Sequence, residues 1–352
     1  MRFIDLAHRW LGGLIGLVLL VLGLTGAILA HRNAWIGLPG AHDAPVQTTD
    51  ALAATVERLM ADPSARPRNI VFASQDFGLN RLSYGRGAGG AYADQSGRII
   101  TRWKSKWERP EIWLFDLHEH LFSGDQGKTV VGVAGVCGLG FVITGLILWW
   151  PLRRGFELRP WPRDLARFSI LRHHRDLGVV MAPLLALSFL TGAVMVFRPM
   201  TSLVLGPGAA AEVQASLKPP RFQPAPLSAN PDWRGMITKA RQLYPDAEVR
   251  GLSLPRKQGE LISLRLRQPA EWGEDGRTTV WFAPDNGQLI VARDALTLPS
   301  RVQAYNAIKP LHTAGLGGPI WRWTLTLTGL VLTIMGGLTT WTFWFRRKRQ
   351  PA

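Results

Sequence analysis

The chain has 352 residues, 47% of them hydrophobic, with 15 Trp, one Cys and a formal net charge of +16. Its length allows more than one domain. The basic excess argues little for a nucleic-acid partner, because no basic stretch is interleaved with aromatics and much of the positive charge flanks long apolar runs.

Residues 1–31 read as a short cytoplasmic lead-in followed by a first membrane span. Leu11 to Ala30 are twenty residues without a charge, and at about 1.5 Å rise they cover about 30 Å, the hydrocarbon thickness of a bilayer. A cleavable signal peptide is the rival reading, but the run exceeds a signal core and three further spans follow. Gly12, Gly13, Gly16, Gly23 and Gly26 would let a helix or a flat ligand approach closely.

Residues 32–128 form a first outer segment. Asp50–Met60 reads as a short amphipathic helix, followed by strand-like pieces Asn69–Ala73, Leu79–Tyr84 and Ala91–Trp103. The turn Asp94-Gln95-Ser96-Gly97 breaks the last piece, so the order is α-β-β-β. Leu117-His118-Glu119-His120 leads into the second span, 129–150, which ends in Trp149-Trp150-Pro151 and Arg153-Arg154. Connection 151–176 carries seven Arg against Glu157, Asp164 and Asp176. The third span, 177–197, contains Pro183, where a kink is expected. The second outer segment, 198–319, begins with a Pro/Ala/Gly-rich linker. It then repeats the α-β-β-β order with helix Asp232–Tyr244 and strands Glu248–Leu254, Leu261–Arg267 and Thr278–Val291. Leu311-His312-Thr313 precedes the fourth span, 320–345, and residues 346–352 are a basic tail.

The short basic segments decide the orientation, because long segments translocate largely regardless of charge. Both termini and connection 151–176 are expected on the cytoplasmic side, with the two long segments outside. The single cysteine, Cys137, falls inside the second span, so the outer segments contain no disulfide.

The chain also repeats itself. His174-Arg175-Asp176-Leu177-Gly178 repeats His8-Arg9-Trp10-Leu11-Gly12, and Thr191-Gly192 repeats Thr25-Gly26 at the same distance from its histidine. Leu311-His312-Thr313 matches Leu117-His118-Glu119. The expected fold is an α-helical membrane protein with four transmembrane helices and two outer α+β units, built as a tandem repeat.

Seven of the eight histidines lie near a membrane boundary, and His42 sits in a loop. Any one alone is adequately explained as an amphipathic interfacial residue. The repeat pairs them instead: His8 with His174 at the cytoplasmic face, His118 with His312 at the outer face. A bare zinc or copper ion usually needs three or four protein ligands. A six-coordinate haem iron needs two imidazoles and an apolar slot. With no Cys-x-x-Cys-His motif, two non-covalent haem b groups are the expected cofactors. His173 adjoins His174, but the repeat selects the latter. His120 would face away from His118 on a helix. His31 is a fifth candidate, for the outer haem.

The motifs HRWLG…TG, LHEHLFSGDQGK, HRDLG…LTG and LHTAGLGG resemble the PepSY-associated transmembrane proteins. The outer units, with ADQSGRI and APDNGQL, are similar to PepSY domains. The resemblance covers nearly the whole chain. It implies a multi-pass protein of the bacterial inner membrane linked to iron uptake, an oxidoreductase whose periplasmic electron acceptor is a ferric siderophore of the ferrioxamine type. Electrons would enter at His8 and His174 and leave near His118 and His312. Reduction to Fe(II) weakens the hold of hard oxygen chelators. No Gly-rich nucleotide fingerprint is present, so the donor would be quinol or a flavin- or NAD(P)H-linked protein. Two other readings stay open: a non-enzymatic PepSY protein that binds peptides or regulates a partner, and a haem electron-transfer protein with a different acceptor. A transporter is disfavoured by the absence of charge within the four apolar runs Leu11–Ala30, Thr129–Trp150, Leu177–Phe197 and Trp323–Phe345.

Overall fold

The computed structural model describes residues 1–85, 87–316 and 318–345. The expected basic tail, 346–352, lies outside them. Four described helices are long and apolar enough to cross a membrane: Arg2–Leu29, Gly124–Gly155, Arg167–Val196 and Gly318–Trp344. The helices in chain order are α1 (Arg2–Leu29), α2 (Arg32–Trp35), α3 (Thr49–Met60), α4 (Pro110–His120), α5 (Gly124–Trp149), α6 (Arg167–Val196), α7 (Arg198–Leu205), α8 (Ala209–Leu217), α9 (Trp233–Leu243), α10 (Ser300–His312) and α11 (Gly318–Trp344). The strands are β1 (Asn69–Val71), β2 (Asn80–Ser83), β3 (Gly90–Ala93), β4 (Ile99–Trp103), β5 (Glu248–Ser253), β6 (Ile262–Arg267), β7 (Thr278–Phe282) and β8 (Leu289–Arg293).

The chain divides into two compact units, neither contiguous in sequence. The first combines Met1–His31, Trp113–Thr201 and the described residues from Leu311 on; the second combines Arg32–Ile112 with Ser202–Pro310. The stretch 113–128, read from sequence as outer, therefore belongs with the helices.

In the helical unit α1 lies along α11 and α5 along α6. Glycine permits the first contact: a Cβ on Gly23 would lie 2.6 Å from the Gly329 carbonyl oxygen, and one on Gly329 equally close to that of Gly23. Leu19, Leu177, Met181, Leu185, Phe189 and Met335 fill the interior. Membrane helices gain little from apolar burial against apolar lipid, so close backbone packing of this kind carries much of their association. The helix α6 continues through Pro183. Left-handed residues interrupt the chain just before two spans, Leu121 and Phe122 (φ 45° and 60°) before α5 and Ala314 (φ 61°) before α11. These breaks put His118 and His312 on their own short helices, α4 and α10.

The other unit is one continuous antiparallel sheet of eight strands, ordered β4-β3-β2-β1-β5-β6-β7-β8. Each half contributes a helix and four strands. The two pieces read as single strands from sequence, Ala91–Trp103 and Thr278–Val291, are hairpins folded at the turns already visible in them. At the first, Asp94 accepts from the backbone N–H groups of Ser96 and Arg98 at 2.9 and 3.0 Å, and Gly97 takes φ 86°. At the second, Asn286 accepts from Gln288 N–H at 2.8 Å, and Gly287 takes φ 70°. β1 and β5 join the halves through the pairs Asn69–Ser253, Ile70–Leu252 and Val71–Gly251. Helices α3 and α9 cover one face. Leu52 and Val56 from the first and Met236 and Ile237 from the second bury Ile70, Leu82, Leu252, Leu264 and Val280. Thr48 and Asp232 cap these helices by accepting from Ala51 and Gly235 N–H. The opposite face carries a smaller core, Ile36, Phe77, Leu79, Tyr92 and Trp103, beside the first half.

Candidate functional site: two imidazole pairs

The helical unit brings four histidines together as two pairs. His8 on α1 faces His174 on α6, with ring centres 6.2 Å apart and planes at 77°. His118 at the end of α4 faces His312 at the end of α10, with centres 6.3 Å apart and planes at 46°. Each pair thus draws one imidazole from each sequence half.

Hydrogen bonding settles which ring nitrogen is left over. The Thr25 hydroxyl donates to the Val21 carbonyl oxygen at 2.7 Å, a back-bond within α1. Its oxygen therefore accepts from His118 Nδ1–H, at 2.8 Å. Thr191 does the same for His312, donating to the Leu187 oxygen at 2.7 Å and accepting from Nδ1 at 3.0 Å. Thr144 on α5 donates to the Gly140 oxygen at 2.7 Å and accepts from His8 Nδ1 at 2.8 Å. Three imidazoles thus carry the proton on Nδ1, leaving Nε2 a lone-pair donor. This is the usual outer-shell arrangement of a metal-bound histidine. His174 differs, because its buried Nδ1 has no hydrogen-bond partner.

Each threonine is followed by a glycine. A Cβ on Gly26 would stand 3.2 Å from His118 Cε1, one on Gly192 3.2 Å from His312 Cε1, and one on Gly145 3.6 Å from His8 Cε1. The Thr-Gly step takes the ring nitrogen on the hydroxyl and lets the ring edge lie against the bare helix backbone. The repeat exposed two of these steps in the sequence. The third, Thr144-Gly145, was missed; the recurrence of the same dipeptide in another apolar run was its signal.

The remaining histidines are elsewhere. The His31 Nε2 is spent on Thr326 Oγ1 at 2.8 Å, and its ring lies 4.6 Å from that of Trp323. The Thr326 hydroxyl donates to the Arg322 oxygen at 2.9 Å, so His31 Nε2 carries the proton. His173 is fully buried and bonds through Nδ1 to the Arg159 carbonyl oxygen at 2.9 Å. His120 lies 3.5 Å from the Asp116 carboxylate.

Two metal–imidazole bonds of about 2.0 Å in line, with about 1.1 Å from each nitrogen to its ring centre, set opposed rings about 6 Å apart. Both pairs have that separation, and in three of the four rings Nδ1 is engaged by a threonine, which leaves Nε2 as the lone-pair nitrogen. Among the described residues, no group of three or more His, Cys, Asp or Glu is arranged to hold a bare metal ion. The residues therefore fit an iron that brings its own equatorial ligands, as haem does.

Residues 6–347 match the family described as the PepSY-associated TM region. The chain is also similar to Uncharacterized protein PA4219 of Pseudomonas aeruginosa, 26% identical over 236 residues. That alignment covers 63% of this chain and 58% of the relative, so the chain spans less than two thirds of its length.

Proposed function

The chain belongs to the PepSY-associated TM region family, and from that premise we propose that it is a di-haem b oxidoreductase of the bacterial inner membrane that reduces ferric siderophore in the periplasm. Among members of the family, it resembles the FoxB-type ferrioxamine reductases. The observation that carries the reading is the pair of opposed imidazoles at each end of the bundle, at 6.2 and 6.3 Å.

Haem b held at each pair would supply reversible one-electron Fe(III)/Fe(II) chemistry. The chain's own residues do the rest. His8 and His174 would hold the inner group, and His118 and His312 the outer one. Thr144, Thr25 and Thr191 orient three of the rings and fix their tautomers. Along α1, His8 and the Thr25 step that receives His118 are separated by seventeen residues, about 26 Å of helix, so the two sites stand near opposite faces of a bilayer. Leu19, Leu177, Met181 and Leu185 keep water out of the region between.

The termini and connection 151–176 lie on the cytoplasmic side, where quinol or a flavin- or NAD(P)H-linked protein delivers electrons. The sheet unit is a pair of PepSY-like modules on the periplasmic side, where the large polar siderophore collects them. Fe(II) is then released because oxygen-rich chelators hold it less tightly than Fe(III).

The test is anaerobic mixing of dithionite-reduced protein with ferrioxamine. The reading expects loss of the reduced haem bands and colour in an Fe(II) trap. Unchanged bands and a colourless trap contradict it.

A further inference from the structure

A charged cavity in the sheet unit plays no part in the redox reading. One register row crosses the sheet as Tyr92, Arg81, Val71, Gly251, Arg265 and Thr279. Residues in a row share a face, and this row lies opposite α3 and α9. At its centre Val71 and Gly251 are small. A cavity of about 90 Å³ opens over them, walled by Arg250, Arg265, Asp275 and the Asn69–Ser253 pair.

Neither guanidinium group at this cavity is hydrogen-bonded to a carboxylate among the described residues. Arg250 is only 4% exposed. Its Nε donates to the Glu274 carbonyl oxygen and its Nη1 to that of Ala73, both at 2.8 Å. Neither acceptor is a carboxylate, and a buried charge is costly unless paired. The Arg265 backbone belongs to the ladder with β5 and β7, but its guanidinium makes no hydrogen bond or ion pair among the described residues. The one carboxylate in the wall, Asp275, is held by Lys309 Nζ at 2.7 Å. Burial opposes its ionisation, but the Lys309 ammonium, with Arg265 and Arg250, outweighs that and holds its pKa down at about 2. Asp275 is therefore charged at neutral pH and already partnered. Ser253 donates to Asn69 Oδ1 at 2.8 Å, which leaves the Asn69 amide nitrogen as a further donor at the wall.

We propose that this cavity binds a carboxylate group of a small anionic ligand, with the guanidinium groups of Arg250 and Arg265 as its charge partners. Planar guanidinium forks match a carboxylate in shape as well as charge. Lys309 already neutralises Asp275, so the two guanidinium groups carry the positive charge left at the wall, and their planar forks suit the planar carboxylate. The inference is independent of the haem.

Calorimetric titration of the purified full-length protein at low ionic strength tests it, with citrate and inorganic phosphate as probes. Citrate should bind saturably. Arg265→Gln should weaken that binding at least tenfold, and Asp275→Asn should tighten it several-fold by removing the opposing charge. Arg265 is exposed, so its replacement leaves the fold intact; an unchanged far-UV spectrum checks this. Arg234→Gln, on α9 and paired with Asp50, should leave citrate affinity unchanged. His118→Ala should also bind citrate normally, which separates this site from the redox reading. No saturable citrate binding, equal affinity in Arg265→Gln, or tighter binding of phosphate than of citrate would overturn the proposal.

Discussion

A histidine has two nitrogens, and the group that takes the first decides what the second can do. At Thr25, Thr144 and Thr191 the hydroxyl proton is committed to a helix carbonyl, so each oxygen can only accept from Nδ1–H. Thr25→Val keeps the shape of the side chain and removes that acceptor. Outer-shell losses of this kind cost roughly 10- to 100-fold in metal affinity, and a less electron-rich imidazole should raise the midpoint potential of the outer site. Redox titration reads the shift; an unchanged potential with full haem content would remove Thr25 from this role. The five candidate histidines also separate at this scale. His118→Ala should lose one haem, whereas His31→Ala should keep both, because His31 Nε2 is engaged with Thr326. The reverse pattern would mean that the turn after α1 supplies the outer ligand through His31.

At the scale of elements, the contact between α1 and α11 sets where Thr25 and Gly26 stand. The Gly23 and Gly329 backbones are close enough that a Cβ on either would fall 2.6 Å from the other's carbonyl oxygen. Gly23→Leu must push the helices apart, and overpacking typically costs about 1–3 kcal/mol. A lower melting temperature in detergent and weaker retention of the outer haem are expected. Gly12→Ala, where an added Cβ meets nothing within 4 Å, serves as the control and should behave as wild type. Equal melting temperatures for the two variants would show that this contact does not organise the bundle. The spans were legible in the sequence because a charge-free run of twenty residues has few other uses. Their ends were less so: α5 starts at Gly124 rather than residue 129 because Asp125 and Lys128 fit in its first turns. The hairpins were half legible. Asp94 to Gly97 and Asp285 to Gly287 announced turns, but short flanking strands read as one.

At the scale of the molecule, the repeat was the strongest signal in the chain. It selected His8, His174, His118 and His312 from eight candidates, and those four are the ones the fold draws into opposed pairs. It could not show that the two outer segments share one sheet. That depends on β1 meeting β5 across about 180 residues of chain, and nothing local in Asn69–Val71 or Gly251–Ser253 specifies it. The charged cavity was hidden for the same reason. Arg250 and Arg265 look like ordinary strand residues until β1 closes against β5.

The central claim is that the two imidazole pairs hold two haem b groups. Quantifying haem against protein in the purified full-length chain, after acid–acetone extraction, tests it most directly. The account predicts two haem b per chain, all extractable because no cysteine tethers them. One haem per chain, or none, would contradict it.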